Sequence, residues 1–265
     1  MTLRAAQALG YDSRRVVELC GSLSPEEWAA PSGCAGWRVQ DAVCHMACVF
    51  HSVVDPASIE SGPADDAEAS AEVAVQARRG WSPEEVTADY RHWAGLGLAA
   101  VAALQAAPGG DTVIALGNLG SHPAHLLANA LVFDHYCHLR HDIGAAVPRA
   151  AALPRDEVAL AETRIWMLAG LPQMCRAALA AAVTAPLRLV LDGPGGGSWL
   201  IDPAGPDGLC AIGEAGSATG SATVTSTVHD FVAWGTKRQD WRAAGLSIDG
   251  DAELASRVLD AVNVI

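Results

Sequence analysis

The sequence predicts two domains of different class, a mainly α-helical bundle over residues 1–183 and a small α+β domain over residues 184–265. Three observations carry this. Through the first two-thirds of the chain apolar residues recur with helical period behind repeated helix-start signals. After Pro186 the pattern turns to short apolar runs punctuated by glycine, as strands and hairpins require. Within the helical part, residues 133–143 set carboxylates and imidazoles into a segment that otherwise reads as a buried helix.

Residues 3–22 form the first helix, with Leu9, Val16, Val17 and Leu19 apolar and a stop at Gly21. Ser24-Pro25-Glu26-Glu27 places Ser at the N-cap, Pro at the first helical position and an acid three residues after the cap, so it starts a short helical turn carrying Trp28. The linker 31–36 leads to a second helix, about Val39 to Val53, that carries His45. Residues 55–70 are acidic and rich in small side chains, an exposed loop. Ser82-Pro83-Glu84-Glu85 repeats the start signal and opens a third helix to about Leu104, ended by Pro108-Gly109-Gly110. An extended stretch at Thr112 to Leu116 precedes a fourth helix, which begins near His122 and must close at Pro148. A fifth runs from Leu153-Pro154-Arg155-Asp156 toward Ala182, completing a bundle.

Beyond Pro186, Leu187–Leu191 and Ser198–Ile201 flank Asp192-Gly193-Pro194-Gly195-Gly196-Gly197. That glycine run lacks the lysine and following helix of a phosphate-binding loop and reads as a hairpin turn. Short strands at Leu209 to Ile212 and Ala222 to Thr225, a helix about His229 to Thr236, a strand at Leu246 to Ile248 and a final helix from Asp251 to about Val262 complete the domain.

Composition bounds the function. A net charge of −13, with Lys237 the single lysine among 17 basic residues, argues against a nucleic-acid or anionic-membrane partner. The start of the chain reads as an amphipathic helix, not a leader, and no segment reaches membrane-span length without charge or glycine. Seven cysteines, odd in number and without paired-motif spacing, point to reduced thiols in a cytoplasm. A monomer or homodimer is expected, and the arginine and alanine bias fits a high-GC genome.

Leu127, Leu131, Asp134 and His138 share one helical stripe, so the fourth helix's apolar face leads into a carboxylate and an imidazole. Two such groups need at least one more ligand from elsewhere to hold a metal. A candidate lies upstream at His45, on a stripe with Ala42 and Val49. The competing reading makes His45 a lone core histidine and Asp134 and His138 a surface pair, but polar groups on the apolar stripes of two bundle helices are costly without a partner. His141, His135 and Asp142 also share stripes with this region, and with Arg140 they read as supporting or structural groups. His122 and His125 read as solvated or capping, and His51 and His92 have no evident partners.

Gly36-Trp37-Arg38-Val39-Gln40-Asp41-Ala42-Val43-Cys44-His45 resembles the G-W-[ST]-V-x-D-[LV]-[LV]-x-H segment of the DinB-like superfamily, particularly the mycothiol-dependent maleylpyruvate isomerase family. The Asp134-x-x-x-His138 spacing is similar to that family's acid-x-x-x-His metal pair. Asp230–Arg238 and Ile248–Ala255 resemble its sterol-carrier-like C-terminal domain. The resemblance implies a DinB-like four-helix bundle with a divalent metal, zinc first among them, held by His45, Asp134 and His138, and mycothiol as thiol cosubstrate. It implies a transferase or isomerase in which thiolate adds to a cis double bond of a small electrophilic acid, the bond rotates and the thiolate leaves. Arginines for the substrate and thiol carboxylates would be Arg78 or Arg79, and Arg238. This chain departs from the family in using Asp134 where glutamate is frequent. Two other functions remain open on the same scaffold: a thiol-independent metal-assisted lyase, cyclase or hydrolase, and a non-catalytic binder of an apolar small molecule.

Overall fold

The computed structural model describes residues 3–265; Met1 and Thr2, where the leader question begins, lie outside it. In chain order the elements are α1 (Arg4–Cys20), α2 (Pro25–Ala29), α3 (Val39–Val54), α4 (Ala67–Gln76), α5 (Pro83–Ala103), β1 (Val113–Ala115), β2 (Ser121–Pro123), α6 (Leu127–Cys137), a π-helical segment (His138–Ile143), α7 (Gly144–Ala146), α8 (Pro148–Ala151), α9 (Glu157–Ala182), β3 (Leu187–Asp192), β4 (Gly197–Asp202), β5 (Ala211–Glu214), β6 (Ala222–Thr227), α10 (Val228–Gly235), β7 (Ser247–Gly250) and α11 (Ala252–Ala261). They form two compact units, Met1–Pro154 and Arg155–Ile265.

The first unit is built from α1, α3, α5 and α6. Both Ser-Pro-Glu-Glu sites form the reciprocal capping box: Glu27 N–H donates to Ser24 Oγ and Ser24 N–H to Glu27 Oε2, and Glu85 and Ser82 do the same. Such a cap contributes about 1 kcal/mol and fixes where the helix begins. Helix α3 is buried on nearly every face, and its close approach to α5 depends on Gly97, where a Cβ would overlap the Phe50 ring. Tyr90, Phe50 and His135 meet edge-on in this core, with His135 Nε2 3.0 Å from Tyr90 Oη.

Three expectations are corrected here. The acidic segment is a loop only to residue 66, because the Asp66 side chain accepts from Ala69 N–H and starts α4. The fourth helix begins at Leu127, not near His122: His122 lies in β2, paired antiparallel with β1. The division between units falls at 154/155 instead of 183/184, because α9 packs within its own unit on α10, α11 and β5.

In the second unit five strands run in the order β5-β4-β3-β6-β7, antiparallel except for the β3–β6 pair. Alternation buries Leu187, Leu189 and Leu191 on one face, as a half-covered sheet requires. The glycine run is the β3–β4 hairpin, and Arg164 donates to the carbonyls of Gly195 and Gly196 at 2.6 and 2.9 Å while lying over the Trp199 ring. Among the described residues α9 alone is long and apolar enough to cross a membrane. It carries Glu162 and Arg164, contains Pro172, is broken at Arg176 and packs on its own unit, as a core helix does.

Candidate metal centre

Helix α3 brings His45, and α6 with the π-helical turn brings Asp134 and His138, to a common point in the first unit. His45 Nε2 lies 2.9 Å from Asp134 Oδ1, and His138 Nε2 lies 3.4 Å from the same oxygen. The three ligand-type atoms all fall within 4.8 Å of one another. Ligands about 2.0–2.1 Å from a tetrahedral zinc stand about 3.4 Å apart, so small side-chain adjustments suffice. His45 and Asp134 keep 13% and 16% of their side-chain surface, enough to leave the group an accessible edge.

Whether these residues suit a divalent ion is tested by the polar atoms around them. Asp134 Oδ2 is buried without a hydrogen-bond partner, 3.6 Å from His135 Nδ1, and His45 Nδ1 is likewise buried and unpartnered. A buried carboxylate oxygen left without a donor costs free energy that a cation removes. Two imidazoles and one carboxylate are also the donor set of hydrolytic zinc sites with an open position. The residues fit.

His138 is oriented from behind. Its Nδ1 lies 2.8 Å from Asp142 Oδ2, so the ring donates there and turns the lone pair of Nε2 toward Asp134 and His45. Asp142 is one helical turn on and buried. Trp37 walls the same point, its ring 5.1 Å from that of His45 and stacked at 6.2 Å on His138, with its indole N–H donated to Glu72 Oε2 at 2.6 Å. Burial alone would push the Asp134 carboxyl up, but the two imidazoles hold it well below the usual range. Burial alone would push His138 down, but Asp134, with Asp142 and Cys34, carries it well above an ordinary histidine.

Arg78 is buried and donates to Glu60 Oε2 at 2.7 Å and to the Ala74 carbonyl at 2.9 Å. Arg79 donates to the Gly36 carbonyl at 2.9 Å, reaching the loop that carries Trp37, and its Nε lies 3.8 Å from Asp41 Oδ2. Arg238 is exposed in the turn after α10, in the second unit. His135 is held by Leu131 O and Tyr90, and Arg140 pairs with buried Asp12 at 3.1 Å and donates to Pro154 O. His51 stacks on Trp93 and meets Ser58 Oγ at 2.8 Å. Sequence reasoning gave no role to Trp37 or Cys34. Neither carries a periodic signal, since their contacts with His138 join segments about a hundred residues apart.

A helical unit that gathers two imidazoles and a carboxylate at one oriented point, followed by an α+β unit, defines a helical-bundle protein with a histidine–carboxylate–histidine centre. The chain belongs to the mycothiol maleylpyruvate isomerase family: the family model for the mycothiol maleylpyruvate isomerase N-terminal domain matches residues 12–144. Two solved structures share the fold. The crystal structure of the mycothiol-dependent maleylpyruvate isomerase superposes with a TM-score of 0.58 at 16% identity, over 94% of this chain and 93% of that one. A histidine-to-alanine mutant of the mycothiol-dependent maleylpyruvate isomerase gives 0.50 at 14% identity over the same shares. No curated protein matches the chain.

Proposed function

We propose that this protein is a mycothiol-dependent isomerase or thiol transferase acting on a small electrophilic acid, with a divalent ion, zinc first, held by His45, Asp134 and His138. The observation that carries the reading is the convergence of His45 Nε2, Asp134 Oδ1 and His138 Nε2 in front of a histidine whose other nitrogen is tied to Asp142. When bound, the ion supplies the positive charge that keeps a thiol deprotonated at neutral pH.

The chain's own residues do the remaining work. Asp142 retains the Nδ1 proton of His138 and so keeps the Nε2 lone pair facing inward. Asp134 stays ionised across the physiological range and contributes a full negative charge. Trp37 covers one side of the point and excludes water from it. Carboxylates of substrate and thiol are assigned to Arg79, which donates to the Gly36 carbonyl, or to Arg78, which pairs with Glu60, and to Arg238. Arginine suits this role because its planar fork meets a carboxylate with two parallel bonds. None of the seven cysteines forms a disulfide, and we assign the protein to a reducing cytoplasm.

The test is turnover of a maleylpyruvate-type cis substrate by the metal-loaded protein, with and without mycothiol. Turnover only with the thiol is expected. Equal turnover without it would transfer the protein to thiol-independent metal-assisted chemistry, and no turnover of any electrophilic acid would leave a binding role.

A further inference from the structure

A second set of donor atoms converges on the opposite edge of the His138 ring. Cys34 Sγ lies 3.7 Å from His138 Nδ1, Asp142 Oδ2 lies 2.8 Å from the same nitrogen, and the three ligand-type atoms fall within 4.8 Å of one another. Sulfur and nitrogen ligands of a tetrahedral zinc stand about 3.5 Å apart and nitrogen and oxygen ligands about 3.4 Å, so the Cys34–His138 separation already suits an ion and the hydrogen-bonded His138–Asp142 pair must open by about 0.6 Å to admit one.

Cys34 is delivered there by a stapled loop. Gly33 N–H donates to the Asp142 carbonyl at 2.9 Å, and Ser32 N–H to the Trp37 carbonyl at 2.8 Å. Ser32 Oγ accepts from Cys34 N–H at 3.2 Å and donates to Trp37 O at 3.0 Å. His138 and Asp142 are buried, whereas Cys34 is half-buried and lines a surface depression of about 480 Å³ together with Ser32, Trp37 and Arg38. The depression reaches Cys34, so an ion can approach the group from the side of its sulfur.

Thiolate, imidazole and carboxylate together select thiophilic divalent ions. We propose that Cys34, His138 through Nδ1, and Asp142 form a second cation site for such an ion, sharing His138 with the first group. It rests on the reading above only in being ranked the weaker and inhibitory one. Filling it releases to solvent the Cys34 thiol proton and the Nδ1 proton that His138 donates to Asp142, and where Nε2 also held an ion the ring would bridge the two cations as an imidazolate. It also removes Asp142 from the task of orienting His138, so excess thiophilic metal inhibits.

The experiment is a cadmium titration of the full-length protein, read by thiolate-to-cadmium charge-transfer absorption in the ultraviolet. Cys34→Ser and His45→Ala variants are titrated in parallel, and circular dichroism checks their folding. The band is expected in the wild type, lost in Cys34→Ser and kept in His45→Ala. Absence of the band in the wild type, its survival in Cys34→Ser at the wild-type midpoint, or its loss in a folded His45→Ala overturns the proposal. Failure of the first site alone would show differently: His45→Ala would bind as many ions as wild type while the band still followed Cys34.

Discussion

His138 faces two ways at once, and its neighbours decide its charge. Without a metal, Asp134 on one edge and Asp142 on the other favour the imidazolium. Asp134 is depressed below its ordinary 3.8, so its contribution to stability is present above that pH and is lost as pH falls through the depressed value. His138 is raised above 6.5, so its contribution is complete below 6.5 and is lost as pH rises through the raised value. The pair therefore stabilises the metal-free protein most between about pH 4 and 6.5. Chemical denaturation of that form should give a midpoint that falls from pH 6 to pH 9, and His138→Ala should flatten the fall; a rising midpoint would contradict the pairing. A second residue-scale expectation concerns Asp142. Asp142→Asn keeps the shape but weakens the orienting bond, and loss of such a partner costs about 10–100-fold in metal affinity. A chelator-competition measurement checks this, with unchanged affinity as the contrary result. That His45, Asp134 and His138 come together was legible in part from polar groups on apolar helical stripes and in part from the family motifs around them. The depth to which Arg78 is engaged by Glu60 was not legible, since nothing in local spacing announces a contact across a loop.

At the scale of elements, helix starts were the most legible feature, because a capping box is a local device whose partners lie three residues apart. The π-helical turn was illegible: α6 and the segment after it have the same apolar pattern, and the change from i−4 to i−5 bonding is decided by what packs against it. The Gly33 loop is one such neighbour, docked by the Gly33 N–H bond to Asp142 O. A Cβ at Gly33 would lie 2.9 Å from Asp142 Oδ1 and 3.0 Å from its Cα, so the loop or the π turn must shift. Gly33→Ala should destabilise by about 1–3 kcal/mol, the usual cost of overpacking, and should weaken metal binding together with it. Thermal melts and metal titration of one preparation separate the two effects. Wild-type values for both would show that the loop does not hold the turn.

For the whole molecule, the change of character after Pro186 was legible and the boundary was not. Helix α9 looks from its sequence like one more bundle helix, and only its packing on α10, α11 and β5 assigns it to the second unit. Limited trypsin digestion should cut first after Arg155, which is exposed between the units, and release fragments ending near there. First cleavage confined to Arg176 or Arg188, the tryptic sites flanking residues 183–186, would restore the boundary expected from composition. The measurement that bears most directly on function is metal content per chain in the purified wild type and in the His45→Ala, Asp134→Ala, His138→Ala and His135→Ala variants, each checked for helical content. About one ion per chain is expected for the wild type and for His135→Ala, whose side chain points to Tyr90, with most of it lost in the other three. Full occupancy in a folded His138→Ala would contradict the assignment of the centre.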